Sequence, residues 1–283
     1  MRCMLLNEEE LVYWIWLTQI RGVGPVHQHL LLNEYNSPKK IYTYFDDIGS
    51  MRKILHLGTE SYEKSKELDR AERILKDCKN QNIQILTENH SLFPEIMKKQ
   101  SDLPVLLYYK GKLQPGYDRG IAVIGARRCT QKGKQQAIDI AGIGNKEDTF
   151  CCVVSGMAKG IDSYAHTAAL KNGRYTVAVL GNGLDLCYPA EHRKLMEEIA
   201  QKGTLISEYP PKTKPTRYTF PMRNRIIAAL AKKIYVIDAK KNSGTRSTVQ
   251  FGRNYGCEIL EINNSNTTLA PDTEKSNKQI NSY

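Results

Sequence analysis

The sequence predicts an α/β protein in which a small helical domain precedes a doubly wound, mostly parallel β-sheet. Three observations predict this fold. Residues 1 to about 75 show helical patterning around a Gly-x-Gly turn, short apolar runs alternate with helical stretches from Gly120 onward, and glycine-containing loops follow those runs. Continuous apolar strands separated by helices are typical of a parallel sheet that is covered on both faces.

The composition excludes several other protein classes. Of the 283 residues, 41% are hydrophobic and 25% are charged, a mixture that excludes a disordered or fibrous chain and suits about two domains. The apolar run Leu11–Leu17 is too short to span a bilayer, and it follows Glu8–Glu10 instead of the basic start of a signal peptide. The seven cysteines form no CxxC pair. We therefore expect a reduced, cytoplasmic protein without disulfides or a metal site.

The first domain, residues 1–78, has a helix-hairpin-helix (SAM-like) pattern. The apolar run 9–17, the turn Ile20–Pro25 and a second apolar run through Leu32 follow one another. Glycine amides in such a turn can approach a phosphate. Because residues 1–103 carry a net charge of −1, we favour packing or dimerisation over DNA contact as the role of this hairpin.

The second domain, residues 79–262, is predicted to be an extended Rossmann-like domain. A helix at 66–79 precedes it, and it opens with strands at 83–87 and 106–111. The predicted buried strands are 121–125, 151–155, 176–181, 204–207, 233–238 and 258–262. The predicted helices between them are 131–141, 162–171, 191–201, 222–232 and 246–255. The polar tail 263–283 is predicted to be disordered.

The positive charge of the chain is concentrated in its middle. Residues 104–256 carry a net charge of +14, against +11 for the whole chain. A basic domain between near-neutral flanks favours a polyanionic partner, with nucleic acid first. The alternative is a basic enzyme whose charge is spread evenly over its surface.

Four loops at the carboxyl ends of the predicted strands are candidate anion sites. Ligands bind at this edge of doubly wound sheets, and small residues let backbone amides face an anion. Arg127 and Lys159 would add positive charge beside those amides. The alternative is that such glycines serve only tight packing. The candidate residues are Gly125, Ala126, Arg127, Ser155, Gly156, Lys159, Gly160, Gly181, Gly183, Ser243 and Gly244.

A long basic segment, residues 212–225, interleaves aromatic rings with Lys and Arg. Rings that stack on bases beside cations that hold phosphates suit single-stranded nucleic acid. We favour this interpretation for Phe220, Arg223, Asn224 and Arg225 at the start of a helix. The alternative is that Tyr218 and Phe220 belong to the core and that the arginines cap helices.

Catalytic motifs are weak in this sequence. Neither GxGxxG nor a GxxxxGK[ST] loop is present. Asp162 and His166 lie one helical turn apart and could be an acid–base pair, but no nucleophile motif accompanies them. We favour a helix cap for Asp162 and packing beside the loop for His166. No catalytic residue is assigned.

Together these motifs resemble the DNA-processing protein A (DprA/Smf) family. The resemblance covers residues 106–250, about half the chain. Its most specific strings are SGMAKGIDSYAH at 155–166 and FPMRNRIIA at 220–228. The chain departs from the family at Ala126, where the family commonly has Ser or Thr, and in the segment after Thr248.

The resemblance implies a non-enzymatic protein that binds single-stranded DNA. It implies protection of incoming DNA, loading of the RecA recombinase in natural transformation, and self-association as a homodimer. It assigns phosphate contact to Gly125, Ala126 and Arg127. The family's other matching segments correspond to Ser155, Gly156, Lys159, Gly160, Phe220, Arg223, Asn224, Arg225, Ser243 and Gly244. No cofactor, metal or membrane partner is implied.

Two other functions remain open. One is a nucleotide-binding or nucleotide-hydrolysing enzyme on a related Rossmann variant. The phosphoribohydrolase string PGG-x-GT-x-x-E is absent, and its nearest counterpart, residues 242–245, lacks the following Glu. The other is a sensor or scaffold domain that binds a small nucleotide without turnover.

Overall fold

Residues 7–45, 66–143, 152–240 and 243–264 are described by a computed structural model of the chain. The chain divides into two units, Met1–Tyr108 and Tyr109–Tyr283. This division falls thirty residues after the boundary that we predict at 78/79, and it cuts strand β2. From residue 265 on, the polar tail lies outside the described residues, so the prediction of disorder there stays a prediction.

The first unit is mainly helical and contains the predicted turn. Gly22, with φ of +84°, lies in the turn between its first two helices, at a backbone conformation that favours glycine. Trp16 anchors the core by packing edge-on against Tyr42 and Phe45. The elements are α1 (Glu8–Gln19), α2 (Pro25–Tyr35), α3 (Pro38–Thr43), α4 (Asp69–Asn80), β1 (Gln84–Thr87), α5 (Glu95–Lys99) and the start of β2 (Leu106–Gly111).

The second unit carries parallel strands in the order β6-β5-β4-β3-β7-β8. This arrangement confirms the predicted α/β fold with its mostly parallel sheet. The strands are β3 (Gly120–Gly125), β4 (Val153–Ser155), β5 (Thr176–Val179), β6 (Thr204–Ser207), β7 (Ala231–Ile237) and β8 (Glu258–Ile262). The helices are α6 (Gln131–Ile143), α7 (Ile161–Lys171), α8 (Arg193–Lys202), α9 (Thr219–Ala229) and α10 (Thr245–Asn254).

The strand order reverses at β3. From this strand the chain proceeds outward through β4, β5 and β6, and then crosses back to β7 and β8 on the other side. The loops that follow β3 and β7 therefore leave the sheet side by side and diverge. Such a switch point opens a crevice at the carboxyl edge, where ligands bind in sheets of this kind.

The core beneath this edge is apolar and close-packed. Small residues along α6 and α7 let both helices approach strands β3 and β4. Helix α9 differs from its prediction at 222–232, because it begins three residues earlier, at Thr219, and ends at Ala229. The Phe-Pro-x-Arg-Asn-Arg segment is therefore helical throughout and projects from a fixed scaffold.

Candidate functional site

A cleft of about 630 Å³ opens at the switch point. Its walls are the loop after β3, the first turns of α9 and the loop between β7 and α10. A smaller adjoining pocket of about 70 Å³ is lined by Gly156, by Lys159 and again by Arg127. The predicted site residues that line the larger cleft are Gly125, Ala126, Arg127, Phe220, Arg223, Asn224, Ser243 and Gly244.

Arg127 offers the cleft an exposed positive charge. Within the part of the chain that the structure describes, no hydrogen bond or ion pair engages its guanidinium. Gly160, with φ of +77°, lets the loop after β4 approach the loop after β3 closely. A Cβ at Gly160 would lie 2.4 Å from the carbonyl oxygen of Ala126. The amide of Ile161 donates to that same oxygen at 3.2 Å. The loops that carry Arg127 and Lys159 are therefore held together through their backbones.

The loop after β4 uses two of its amides internally. The carboxylate of Asp162 accepts hydrogen bonds from the amides of Gly156, at 3.1 Å, and Ala158, at 3.4 Å. Burial raises the pKa of Asp162, and the nearby charge of Arg223 opposes that rise. The predicted helix cap is wrong, because this carboxylate bonds to the preceding loop and not to the first turn of its own helix. These two amides serve the fold of the loop.

Ser155 and His166 lie inside the protein. The Ser155 hydroxyl donates to the carbonyl oxygen of Val123 at 2.7 Å, and its residue is fully buried. The ring of His166 lies 2.7 Å from the hydroxyl of Thr176 through Nδ1. Burial, together with the nearby His192 and Arg223, lowers the pKa of His166 to about 3. Asp162 and His166 thus have separate partners, and the geometry does not make them an acid–base pair.

The buried side chain of Arg223 lines the cleft and forms hydrogen bonds to the backbone around it. Its Nη1 donates to the carbonyl oxygen of Gly156 at 2.7 Å and to that of Val179, and its Nε donates to Asn224 Oδ1 at 3.1 Å. Burial lowers the pKa of Arg223 to about 10. A Cβ on Gly156 would lie within 2.8 Å of the guanidinium, so the glycine makes room for this side chain. Arg223 lines the cleft, and its Nη1 and Nε are bonded to the protein.

Arg225 lies away from the cleft. It is buried and forms an ion pair with Glu208. The neighbouring Asn224 lines the cleft, and its Nδ2 donates to the Gly244 carbonyl at 3.1 Å and to Ser247 Oγ at 2.9 Å. The prediction that Arg225 offers its charge to a ligand finds no support in this geometry. The sequence could not show this, because Glu208 precedes Arg225 by 17 positions and lies in the loop after β6, whereas Arg225 lies on helix α9.

The glycines after β5 serve packing. A Cβ on Gly181 would meet the ring of Phe220 at 3.1 Å, and one on Gly183 would lie 2.7 Å from the carbonyl oxygen of Pro210. The amide of Gly183 donates to the carbonyl of Thr213 at 2.9 Å. Neither glycine lines the cleft, which favours the alternative interpretation that we weighed for these loops.

Aromatic rings border the cleft on one side. Phe220 and Tyr188 pack with ring centroids 5.4 Å apart and an interplanar angle of 38°. Tyr188 is 46% exposed and Tyr218 is 67% exposed, so Tyr218 is not a core residue. The guanidinium of Arg217 lies 4.8 Å from the centroid of the Tyr218 ring. Sequence reasoning missed Tyr188, although its place after a Gly-Asn-Gly loop at a strand end was a usable signal.

Neither a cluster of metal-binding side chains nor a helix able to cross a membrane occurs among the described residues. No group of three or more His, Cys, Asp or Glu side chains among them could hold a metal ion. Over the same ranges, no helix has both the length and the apolar character needed to cross a membrane.

Comparison with known proteins identifies the family. The sequence model of the DNA recombination-mediator protein A family matches residues 84–281. The chain belongs to this family. The match confirms the resemblance that the motifs predict.

Relatives in the family differ in how much of their length the chain spans. Protein Smf from Synechocystis is 32% identical over 98% of this chain and 69% of its own length. DNA processing protein DprA from Streptococcus pneumoniae is 39% identical over 60% of this chain, which spans 59% of that protein. In sequence alignment the chain therefore spans about three fifths of the length of the pneumococcal relative.

Solved structures of two family members superpose on the chain. DNA processing protein A from S. pneumoniae matches with a TM-score of 0.74 and 29% identity, over 91% of this chain and 87% of its own. The protein from Helicobacter pylori, whose mode of single-stranded DNA binding has been described, matches with a TM-score of 0.56 and 30% identity. That match covers 63% of this chain and 80% of the H. pylori chain. These similarities support the fold and a DNA-processing role.

Proposed function

We propose that this protein binds single-stranded DNA along the cleft at the carboxyl edge of its second unit. The observation that carries the proposal is the exposed guanidinium of Arg127, which projects at the switch point where two backbone loops diverge. A phosphate there would meet a positive charge that no described residue neutralises. The single-stranded DNA binding of the H. pylori relative supports the same role.

In this proposal the cleft binds DNA by two kinds of contact, charged side chains with phosphates and aromatic rings with bases. Arg127, Lys159 and Arg217 would hold phosphates, and Phe220 with Tyr188 would offer a ring face to a base. Gly244 would let the DNA come close to the protein backbone, because the space that a Cβ would take there has no protein atom within 4 Å. Ser155, Arg223 and Arg225 would act indirectly, by holding the loops in place.

The biological role that we propose is protection of incoming DNA and loading of the RecA recombinase, without catalysis, by a cytoplasmic homodimer. Family membership and the net charge of +14 over residues 104–256 support this role. RecA filament formation on single-stranded DNA, with and without this protein, tests the loading step. Faster filament formation is the expected result, and an unchanged rate would limit the function to binding.

The first test is fluorescence anisotropy of a labelled oligo-dT at two salt concentrations, with duplex DNA as competitor. We expect tight, salt-sensitive binding for which duplex DNA competes poorly. Replacing Arg127 by Ala should weaken binding and flatten the slope of log K against log salt by about 0.7. Arg128→Ala is the matched control, because Arg128 is exposed and adjacent but does not line the cleft.

Two results would count against the proposal. If Arg128→Ala weakened binding as much as Arg127→Ala, the cleft would not be the contact. If the protein bound no oligo-dT at low salt, the DNA role would fall. Release of a free base from a nucleoside monophosphate by the pure protein would instead support the enzymatic alternative.

A further inference from the structure

A short 3-10 turn, Ala190–His192, holds the loop that carries Lys159. Two neighbouring side chains of this turn reach the loop. The ring of His192 donates from Nδ1 to the carbonyl oxygen of Met157 at 3.0 Å, and the carboxylate of Glu191 forms an ion pair with the ammonium of Lys159. One contact fixes the backbone of the loop and the other engages its charged side chain.

The backbone contact falls on an unusual residue. Met157 has φ of +57°, a conformation that non-glycine residues rarely adopt, and its side chain is fully buried. His192 is itself buried, with 7% exposure. The turn and the loop are therefore packed together at this point, which brings Glu191 close to Lys159.

The side-chain contact is of a different kind. Lys159 and Glu191 are each more than half exposed, so water and ions reach both groups. Lys159 also lines the small pocket with Arg127 and Phe220, on the side where the proposed function places a phosphate. The hydrogen bond from Lys159 lowers the pKa of Glu191, so this carboxylate is charged at neutral pH.

We propose that Glu191 is an internal competitor for the DNA phosphate at Lys159, and so sets the affinity and the salt dependence of the cleft. The inference rests on the proposed function. In the free protein, Glu191 neutralises Lys159 and holds it beside the pocket. A phosphate that binds Lys159 must displace this carboxylate, which then takes up a cation from the solution.

The test compares Glu191→Gln with Glu197→Gln in oligo-dT binding at low salt. Glu197 is the matched control, because it is an exposed carboxylate six residues further along, on helix α8. Each substitution removes one negative charge, so long-range attraction to DNA changes alike. We expect Glu191→Gln to bind about two- to fivefold more tightly than Glu197→Gln, as the loss of an exposed ion pair would allow.

A double-mutant cycle decides whether Lys159 is the group through which Glu191 acts. In a Lys159→Ala background, the advantage of Glu191→Gln over Glu197→Gln should disappear. The salt slope supplies a second readout. Glu191→Gln should steepen it, by at most the ~0.7 that one phosphate contact contributes, since no carboxylate is left to take up a cation.

The outcomes separate this inference from the function on which it rests. Wild-type protein that binds no oligo-dT overturns the proposed function. Binding by wild type with equal affinities for Glu191→Gln and Glu197→Gln overturns the inference alone. An advantage of Glu191→Gln that persists in the Lys159→Ala background also overturns it, because the effect would then be independent of the ion pair.

Discussion

The guanidinium of Arg223 donates a hydrogen bond to the carbonyl oxygen of Gly156, 2.7 Å away and 67 positions earlier in the chain. This bond joins helix α9 to the loop that follows β4. The same Nη1 also reaches the carbonyl of Val179 at the end of β5. A single buried side chain thus connects three segments at the carboxyl edge of the sheet.

Replacing Arg223 by Met should lower the free energy of unfolding by about 2–4 kcal/mol, because buried carbonyl oxygens lose their donor. Urea denaturation measures the change. Arg217→Met is the control, since Arg217 is exposed and its loss should change stability by no more than about 0.5 kcal/mol. Equal stabilities of the two variants would show that the buried bonds of Arg223 contribute nothing.

Replacing Tyr188 by Ala should weaken oligo-dT binding by about 1–3 kcal/mol without changing the salt slope, because an uncharged ring stacks on a base and releases no counterion. Anisotropy titrations at several salt concentrations measure both quantities. Tyr188→Phe retains the ring and should bind like wild type. A flattened slope in Tyr188→Ala, or an equal loss in Tyr188→Phe, would contradict base stacking at this position.

Gly160→Ala should destabilise the protein more than Gly173→Ala does. Both glycines have positive φ, +77° and +66°, but a Cβ at Gly173 meets nothing within 4 Å, whereas one at Gly160 meets the Ala126 carbonyl. Gly173→Ala should cost about 1 kcal/mol for its backbone conformation, and Gly160→Ala about 1–3 kcal/mol more for the clash. Urea denaturation of both variants measures the difference.

The two glycine variants should also differ in DNA binding. Gly160→Ala displaces the loop of Arg127 and should weaken oligo-dT binding, while Gly173→Ala should leave it unchanged. If both variants bound like wild type, the close approach of the two loops would have no bearing on the proposed site.

The free energy of unfolding should decrease as the pH is lowered, because of His166. The pKa of this residue is about 3 in the folded chain, against 6.5 as the ordinary value, so the unfolded chain takes up a proton that the folded chain excludes. Its stabilising contribution is therefore complete above pH 6.5 and is lost as the pH falls toward 3, by about 1.4 kcal/mol per pH unit.

His166→Asn supplies the comparison, because the amide offers Thr176 a hydrogen-bonding atom and does not titrate. Free energies of unfolding at pH 7, 6, 5 and 4 should show the advantage of wild type over the variant shrinking at lower pH. Parallel curves for the two proteins would mean that His166 titrates alike in the folded and unfolded chains.

Much of the fold was predictable from sequence, and the exceptions have local causes. Strands β6 and β8 have the predicted bounds, because each is a short run limited by glycine or polar residues. Helix α9 begins three residues before its predicted start and includes Pro221, since proline is tolerated in a first helical turn. Its end was missed because α9 and β7 share one apolar run, 226–231, which carries no boundary signal.

The position of the candidate site was predictable from the sequence. Which of its residues face the cleft and which bond only to the protein was not. The predicted strand ends carry Arg127 and Gly244, the predicted helix start carries Phe220, and all three line the same cleft. The burial of Arg223 and Arg225 was not predictable, because each binds partners from distant segments. The two arginines of the Phe-Pro-x-Arg-Asn-Arg segment are therefore buried, whereas Lys212, Lys214 and Arg217 of the same basic segment are exposed. Only tertiary contacts distinguish the two groups.

The hydrogen bond from Ile161 to Ala126 has a kinetic consequence. It joins the two charged loops backbone to backbone. The entropy of ordering these loops is then lost when the chain folds and not when a ligand arrives. Association should proceed at the rate of encounter, which opposite charge accelerates and salt slows. Variants of this edge should accordingly differ in residence time more than in the speed of capture.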